Sequence, residues 1–144
     1  MNFMDKALMC AKKAEHLGEV PIGAVIVKDG KVIATGYNMR EKSQDATKHA
    51  EIIAIKRACN KLKSWRLDDC DIYVTLKPCP MCAGAILNAR IRCCYYGAKN
   101  LNDNDDLIEK IMDSTKLFNH KTKLTFMPNE QCNIILTQFF KQKR

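Results

Sequence analysis

His49-Ala50-Glu51 and Pro78-Cys79-Pro80-Met81-Cys82 are the two stretches of this chain that decide both its fold and its chemistry. Between them they offer one imidazole, two thiols and one carboxylate. Four protein ligands would close a tetrahedral zinc, whereas one His and two Cys leave a corner for water. His49, Cys79 and Cys82 therefore read as ligands of one Zn²⁺, and Glu51 as a carboxylate kept off the metal. The nitrogen-and-thiolate set favours zinc over harder ions. A water on such an ion acidifies toward a pKa of about 7. Glu51 can then take a proton from that water and hand it to a leaving group, which is general acid and base work.

The spacing places both stretches at helix entrances. Cysteines at i and i+3 in a first helical turn face the same way and can share an ion. Pro78 and Pro80 suit a helix start, where a missing N–H is no loss, and the free N–H groups there favour thiolate over thiol. His49 and Glu51 are two residues apart, which in mid-helix would put them on nearly opposite faces. They must sit where chain enters helix, and Glu51-Ile52-Ile53-Ala54-Ile55-Lys56-Arg57-Ala58 continues with apolar residues at helical spacing. Two helix N-termini then converge on one metal.

Outward from these motifs, the pattern predicts helix over 4–17, strand over 22–28, a turn at Asp29-Gly30 and strand over 31–37. Helix 49–62, strand 70–75, helix 80–89, strand 91–97, helix 105–114, strand 122–126 and helix 129–141 follow. This alternation describes an α/β protein with a mixed five-stranded sheet flanked by helices, parallel after the opening hairpin, with the metal at the helix ends.

Residues 1–144 suffice for a single domain with a real core, and no linker, repeat or low-complexity run divides them. No apolar stretch approaches the ~20 residues of a membrane span, so no membrane partner is expected. The N-terminus is mixed and charged, unlike a signal peptide. With no such leader in view, the eight cysteines read as reduced cytoplasmic thiols. Cys10, Cys59, Cys70, Cys93, Cys94 and Cys132 then act as small buried hydrophobes. A net charge of +8 suits a polyanionic partner, although a solvated basic surface would read the same way. The tail Phe139-Phe140-Lys141-Gln142-Lys143-Arg144 sets aromatics beside cations, which fits either a grip on unstacked nucleotides or a last helix with a buried Phe and a basic end.

H-x-E followed by P-C-x-x-C is the signature of zinc nucleobase deaminases. Over nearly its whole length the chain resembles the bacterial tRNA-specific adenosine deaminases of the cytidine deaminase-like superfamily. The shared segments include Gly18-Glu19-Val20-Pro21-Ile22-Gly23-Ala24-Val25, Gly36-Tyr37-Asn38, Ser64-Trp65-Arg66-Leu67, Pro78 to Ala85, Phe118-Asn119-His120 and Phe139-Phe140. The resemblance implies a three-layer cytidine deaminase-like fold and one Zn²⁺ per subunit of a homodimer. It also implies hydrolytic deamination of adenosine to inosine at the wobble position of a tRNA anticodon stem-loop, with water attacking C6 and Glu51 helping to expel ammonia. By the same resemblance, Asn38 hydrogen-bonds the flipped base, and Ala50 and Cys79 contribute backbone groups near the reacting centre. A turn asparagine ending a strand is the other reading of Asn38.

Two segments depart from the family. Lys77 stands where the family usually has glutamate, a reversed charge beside the metal loop. After Gly97-Ala98, Lys99-Asn100-Leu101-Asn102-Asp103-Asn104-Asp105-Asp106 replaces an Arg-Asp pair and a small-residue loop, adding three acids that would repel phosphate if they pointed at it. A free-base or nucleoside deaminase of the guanine or cytosine type would share every catalytic residue. A zinc module without catalysis is a further reading, and Glu51 argues against it.

Overall fold

Ala24 and Ile26 on one side of the first strand, and Val25 and Val27 on the other, are all buried, so β1 (Gly23–Lys28) has no solvent face. A strand apolar on both sides needs cover on both sides. In the computed structural model, which describes residues 2–100, 103 and 105–142, that cover is helical. β2 (Lys31–Tyr37) and β3 (Cys70–Val74) flank β1 and run antiparallel to it. β4 (Cys93–Tyr96) and β5 (Lys123–Phe126) continue parallel from β3, giving the order β2-β1-β3-β4-β5. The expected mixed five-stranded sheet is present, with its parallel part after the hairpin.

Asp29 and Gly30 close that hairpin with φ of 52° and 73°. Two left-handed residues in a two-residue turn match the right-handed twist of the strands they join.

One face of the sheet packs on α1 (Phe3–His16) and α7 (Glu130–Gln142), through Met4, Ala7, Leu8, Cys132, Ile135 and Leu136 against Val25 and Val27. The other packs on α3 (Ala50–Leu62), α4 (Pro80–Asn88) and α5 (Leu107–Met112), through Ala54, Ala83, Ile86 and Ile108 against Ala24, Ile26 and Ile72. Helices on both faces make three layers. Each buried Leu or Ile contributes about 1.5–3 kcal/mol, and the alternation along β1 and β3 forces one register, because a one-residue slip would exchange the two cores.

Gly36 lets α3 approach β2 closely. A Cβ there would overlap the Ala50 carbonyl oxygen and lie 2.8 Å from the Ala54 nitrogen. The first turn of α3 thus rests on bare backbone, and its entrance is held at the sheet's edge.

Two short helices lie outside the expected elements, α2 (Arg40–Ser43) and α6 (Thr115–Phe118). One turn is too short to show a hydrophobic period. α5 begins later than expected because the Asp105 carboxylate accepts from the Leu107 N–H at 3.1 Å, leaving Asp105 outside the helix. Of the acidic segment, Leu101, Asn102 and Asn104 lie outside the described residues, as do Lys143 and Arg144 of the basic tail. Among the described residues no helix is long and apolar enough to cross a membrane, and all eight cysteines are free thiols.

Candidate active site

His49 and Cys79 are the N-cap residues of α3 and α4, both extended, and neither side chain caps its own helix. N-caps usually carry a short oxygen side chain bonded to the first-turn N–H groups. Here the imidazole and the thiol turn toward each other instead. Cys79 Sγ lies 3.7 Å and Cys82 Sγ 3.5 Å from His49 Nδ1. Zn–S near 2.3 Å and Zn–N near 2.0 Å in a tetrahedron require S···N of about 3.5 Å. The three ligand atoms all lie within 4.8 Å of one another, so the residues fit a single zinc at three corners. Pro80 occupies the first turn of α4 as the sequence suggested, and Cys82 completes that turn.

Local electrostatics suit the metal. The Cys79 thiol is held down to about 5 by the hydrogen bond from Cys82, which outweighs its burial. Cys82 is pushed up by the same hydrogen bond and then by burial. The pair therefore shares one proton, and a dication that draws both sulfurs as thiolates displaces it.

Glu51 stands in the first turn of α3, two residues past His49 and 4% exposed. It lies outside the ligand triangle, as a carboxylate free to move protons must. From the protein groups alone, burial raises its carboxyl to about 7. Its own backbone N–H pulls the other way, the nearby Cys79 charge raises it further, and a hydrogen bond with Cys82 lowers it. A carboxyl near neutrality is able both to accept and to release a proton at physiological pH.

A cleft of about 250 Å³ opens beside His49 and Ala50, lined also by Val20, Ile22, Asn38, Arg40 and Phe140. Asn38 is therefore at the site, and it also shapes the rim. Its Nδ2 donates to the Val20 carbonyl at 3.3 Å, and its Oδ1 accepts from the Arg40 N–H at 3.3 Å. One amide N–H and one oxygen lone pair are left uncommitted by these two bonds. Buried Glu19 secures the same rim, accepting from the backbone N–H groups of Glu41 at 3.0 Å and Lys42 at 2.6 Å.

Phe139 is buried, as the last-helix reading of the tail expects, while Phe140 is about half exposed and lines the cleft. Arg40 was not legible as a site residue. It sits in a four-residue helix, and its only signal is a cation two positions after Asn38.

Lys77, the reversed charge beside the metal loop, is buried. It is 6% exposed, and its ammonium meets Asp103 at 2.9 Å and Glu109 at 2.5 Å. Burial alone would lower its pKa, but those two carboxylates outweigh it and leave the group raised. The remaining acids of that segment are also engaged, Asp106 with Lys110 at 3.3 Å and Asp105 with the Leu107 N–H.

Residues 1–144 match the family model described as MafB19-like deaminase. A chloroplastic tRNA(adenine(34)) deaminase of Arabidopsis thaliana is 57% identical over 98 residues, 68% of this chain but only 8% of that much longer protein. A tRNA-specific adenosine deaminase of Buchnera aphidicola is 45% identical over 144 residues, covering 99% of this chain and 94% of that one. A solved structure from work on A-to-I editing by tRNA:A34 deaminases superposes with a TM-score of 0.84 at 41% identity, covering 93% of this chain and 98% of its own.

Proposed function

The chain belongs to the MafB19-like deaminase family, and on that premise we propose that it hydrolyses adenosine to inosine at the wobble position of a tRNA anticodon loop. The observation that carries this is the His49, Cys79, Cys82 triangle, sized for zinc and set beside buried Glu51 at the foot of a cleft. Zinc held by those three side chains would supply the Lewis acidity that makes water nucleophilic at neutral pH. Glu51 accepts the proton from the attacking water and returns it to the purine ring nitrogen as C6 becomes tetrahedral; it then takes the proton of the new C6 hydroxyl and passes it to the departing amino group, so that the C6 carbonyl forms and ammonia leaves.

Ala50, at the mouth of α3, places its backbone beside the reacting carbon, and the spare amide groups of Asn38 meet the purine edge. Phe140 offers a ring for stacking, and Arg40 a cation for phosphate. An anticodon loop presents its base already unpaired, which lowers the cost of bringing it into the cleft. Both sequence relatives described above are named for tRNA, which sets the free-base reading second. A homodimer belongs to the same reading, and the exposed Met81, Leu107 and Leu117 on α4, α5 and α6 are apolar side chains available to it. A tRNA substrate implies a cytoplasmic site of action.

The test is inosine formation in an anticodon stem-loop by the zinc-loaded protein and its Glu51→Gln variant. Loss of at least about 10³-fold in kcat with one zinc retained supports the reading. Turnover of free guanine, cytosine or adenosine with no inosine in RNA would replace it.

A further inference from the structure

α2 is one turn long and buries none of its side chains, so its place does not come from a buried apolar face. Its first turn holds it instead. The N–H groups of Arg40, Glu41 and Lys42 have no partner inside a helix that begins at Arg40, and Met39 at the N-cap makes no side-chain bond to them. Asn38 Oδ1 takes the Arg40 N–H, and the two oxygens of Glu19 take those of Glu41 and Lys42. Glu19 is fixed from behind: it is 1% exposed, and its backbone N–H donates to the Ala14 carbonyl at the end of α1 at 3.0 Å. Beside it, the Val20 carbonyl accepts from Asn38 Nδ2, and the Ile22 carbonyl accepts from the Asn38 N–H at 3.1 Å. Val20, Ile22, Asn38 and Arg40 all line the cleft. A carboxylate so enclosed needs charge-assisted hydrogen bonds in place of water, and both that Glu19 makes go to the turn that carries Arg40.

We infer that Glu19 is a positioning residue for substrate binding, acting through Arg40, whose cation it fixes at the cleft to meet a phosphate of the incoming strand. The inference rests on the RNA-deaminase reading above. Its consequence runs against simple charge counting. Removing an acid beside an anion's path should tighten binding by Coulomb's law alone, whereas loss of Glu19 releases the turn and weakens binding. Glutamine keeps the size of the side chain but offers one carbonyl oxygen, and its NH2 would face the second backbone N–H donor to donor. The ligands and Glu51 stand on α3 and α4, so the loss falls on KM.

The experiment compares the zinc-loaded parent with Glu19→Gln, Arg40→Ala and the double variant, with Glu19→Asp in place of Glu19→Gln should the amide variant not fold. Amide hydrogen exchange, zinc per chain, and kcat and KM on an anticodon stem-loop between 50 and 200 mM salt are measured for each. Glu19→Gln is expected to exchange faster across 40–43 with the sheet still protected, and to raise KM about tenfold with kcat within about threefold and zinc unchanged. Its salt slope should become shallower by about 0.7, as in Arg40→Ala. The double variant is expected to match Arg40→Ala in KM and slope, because the two residues act as one unit.

A KM that stays or falls in Glu19→Gln overturns the inference, as do single effects that multiply in the double variant, since Glu19 would then act elsewhere. If the parent makes no inosine in RNA, the functional reading fails by itself. Exchange then decides the tie: loosening confined to α2 and its flanks supports it, and any other pattern refutes it.

Discussion

At the scale of single residues, the two cysteines differ more than their shared role suggests. Cys79, held near 5, is a thiolate at neutral pH, whereas Cys82 is pushed up and keeps its proton. Zinc must expel that proton to take both sulfurs, so uptake by the metal-free protein at pH 7 should release about one proton from the pair. The sign follows directly: binding that releases a proton strengthens as pH rises, by about tenfold per unit while Cys82 remains the protonated partner. Calorimetry of zinc uptake in two buffers of different ionisation enthalpy measures the release. A Cys82→Ser variant should bind far more weakly, because a neutral hydroxyl replaces a thiolate ligand. Release near zero would mean that both sulfurs are already ionised. The convergence of His49, Cys79 and Cys82, a group able to hold a metal, was legible in the sequence because it depends on residue type and short spacing. Arg40 was not, because its place depends on a Glu19 carboxylate more than twenty residues away in sequence that fixes the following N–H groups.

At the scale of elements, the placement of α3 against β2 governs the site, and two glycines separate packing from backbone conformation. Gly36→Ala would drive a methyl group into the Ala50 carbonyl at the turn that carries His49 and Glu51. Overpacking of this kind costs about 1–3 kcal/mol, and the displacement should also lower zinc occupancy and kcat. Gly30→Ala meets nothing within 4 Å but must hold φ at +73°, a strain of about 1–2 kcal/mol. It should lower the melting temperature comparably while kcat and zinc content stay at parent values. Thermal melts alongside zinc assay and turnover separate the two, and equal loss of activity in both would show that the site simply follows global stability. The strands and long helices could be read from their periods because each buries one face or two along its length. α2, α6 and the true start of α5 could not, since one-turn helices have no period and Asp105 ends its loop through a single side-chain bond.

At the scale of the whole molecule, the +8 charge becomes informative once it is located. Arg40 lines the cleft, and the cations Lys42, Lys48 and Lys141 each lie within two positions in sequence of a residue that lines it. The acids of segment 103–109, which could have opposed phosphate, are drawn instead to Lys77, Lys110 and the start of α5. The charged side chain among the described residues lining the cleft, Arg40, is a cation. If those four cations each neutralise one phosphate, the affinity for an anticodon loop should fall with salt at a log–log slope of about −3, about sixtyfold between 50 and 200 mM. KM should carry that change while kcat at saturation stays within about twofold, because the chemistry at Glu51 is enclosed and its field is little screened. Arg40→Ala and Lys141→Ala should each make the slope shallower by about 0.7 and weaken binding for any loop sequence alike, since a phosphate contact reads no base. A slope near zero, with KM unmoved by either substitution, would mean that the charge is only a solvated surface and that RNA is held by stacking on Phe140 and by the base-edge contacts of Asn38.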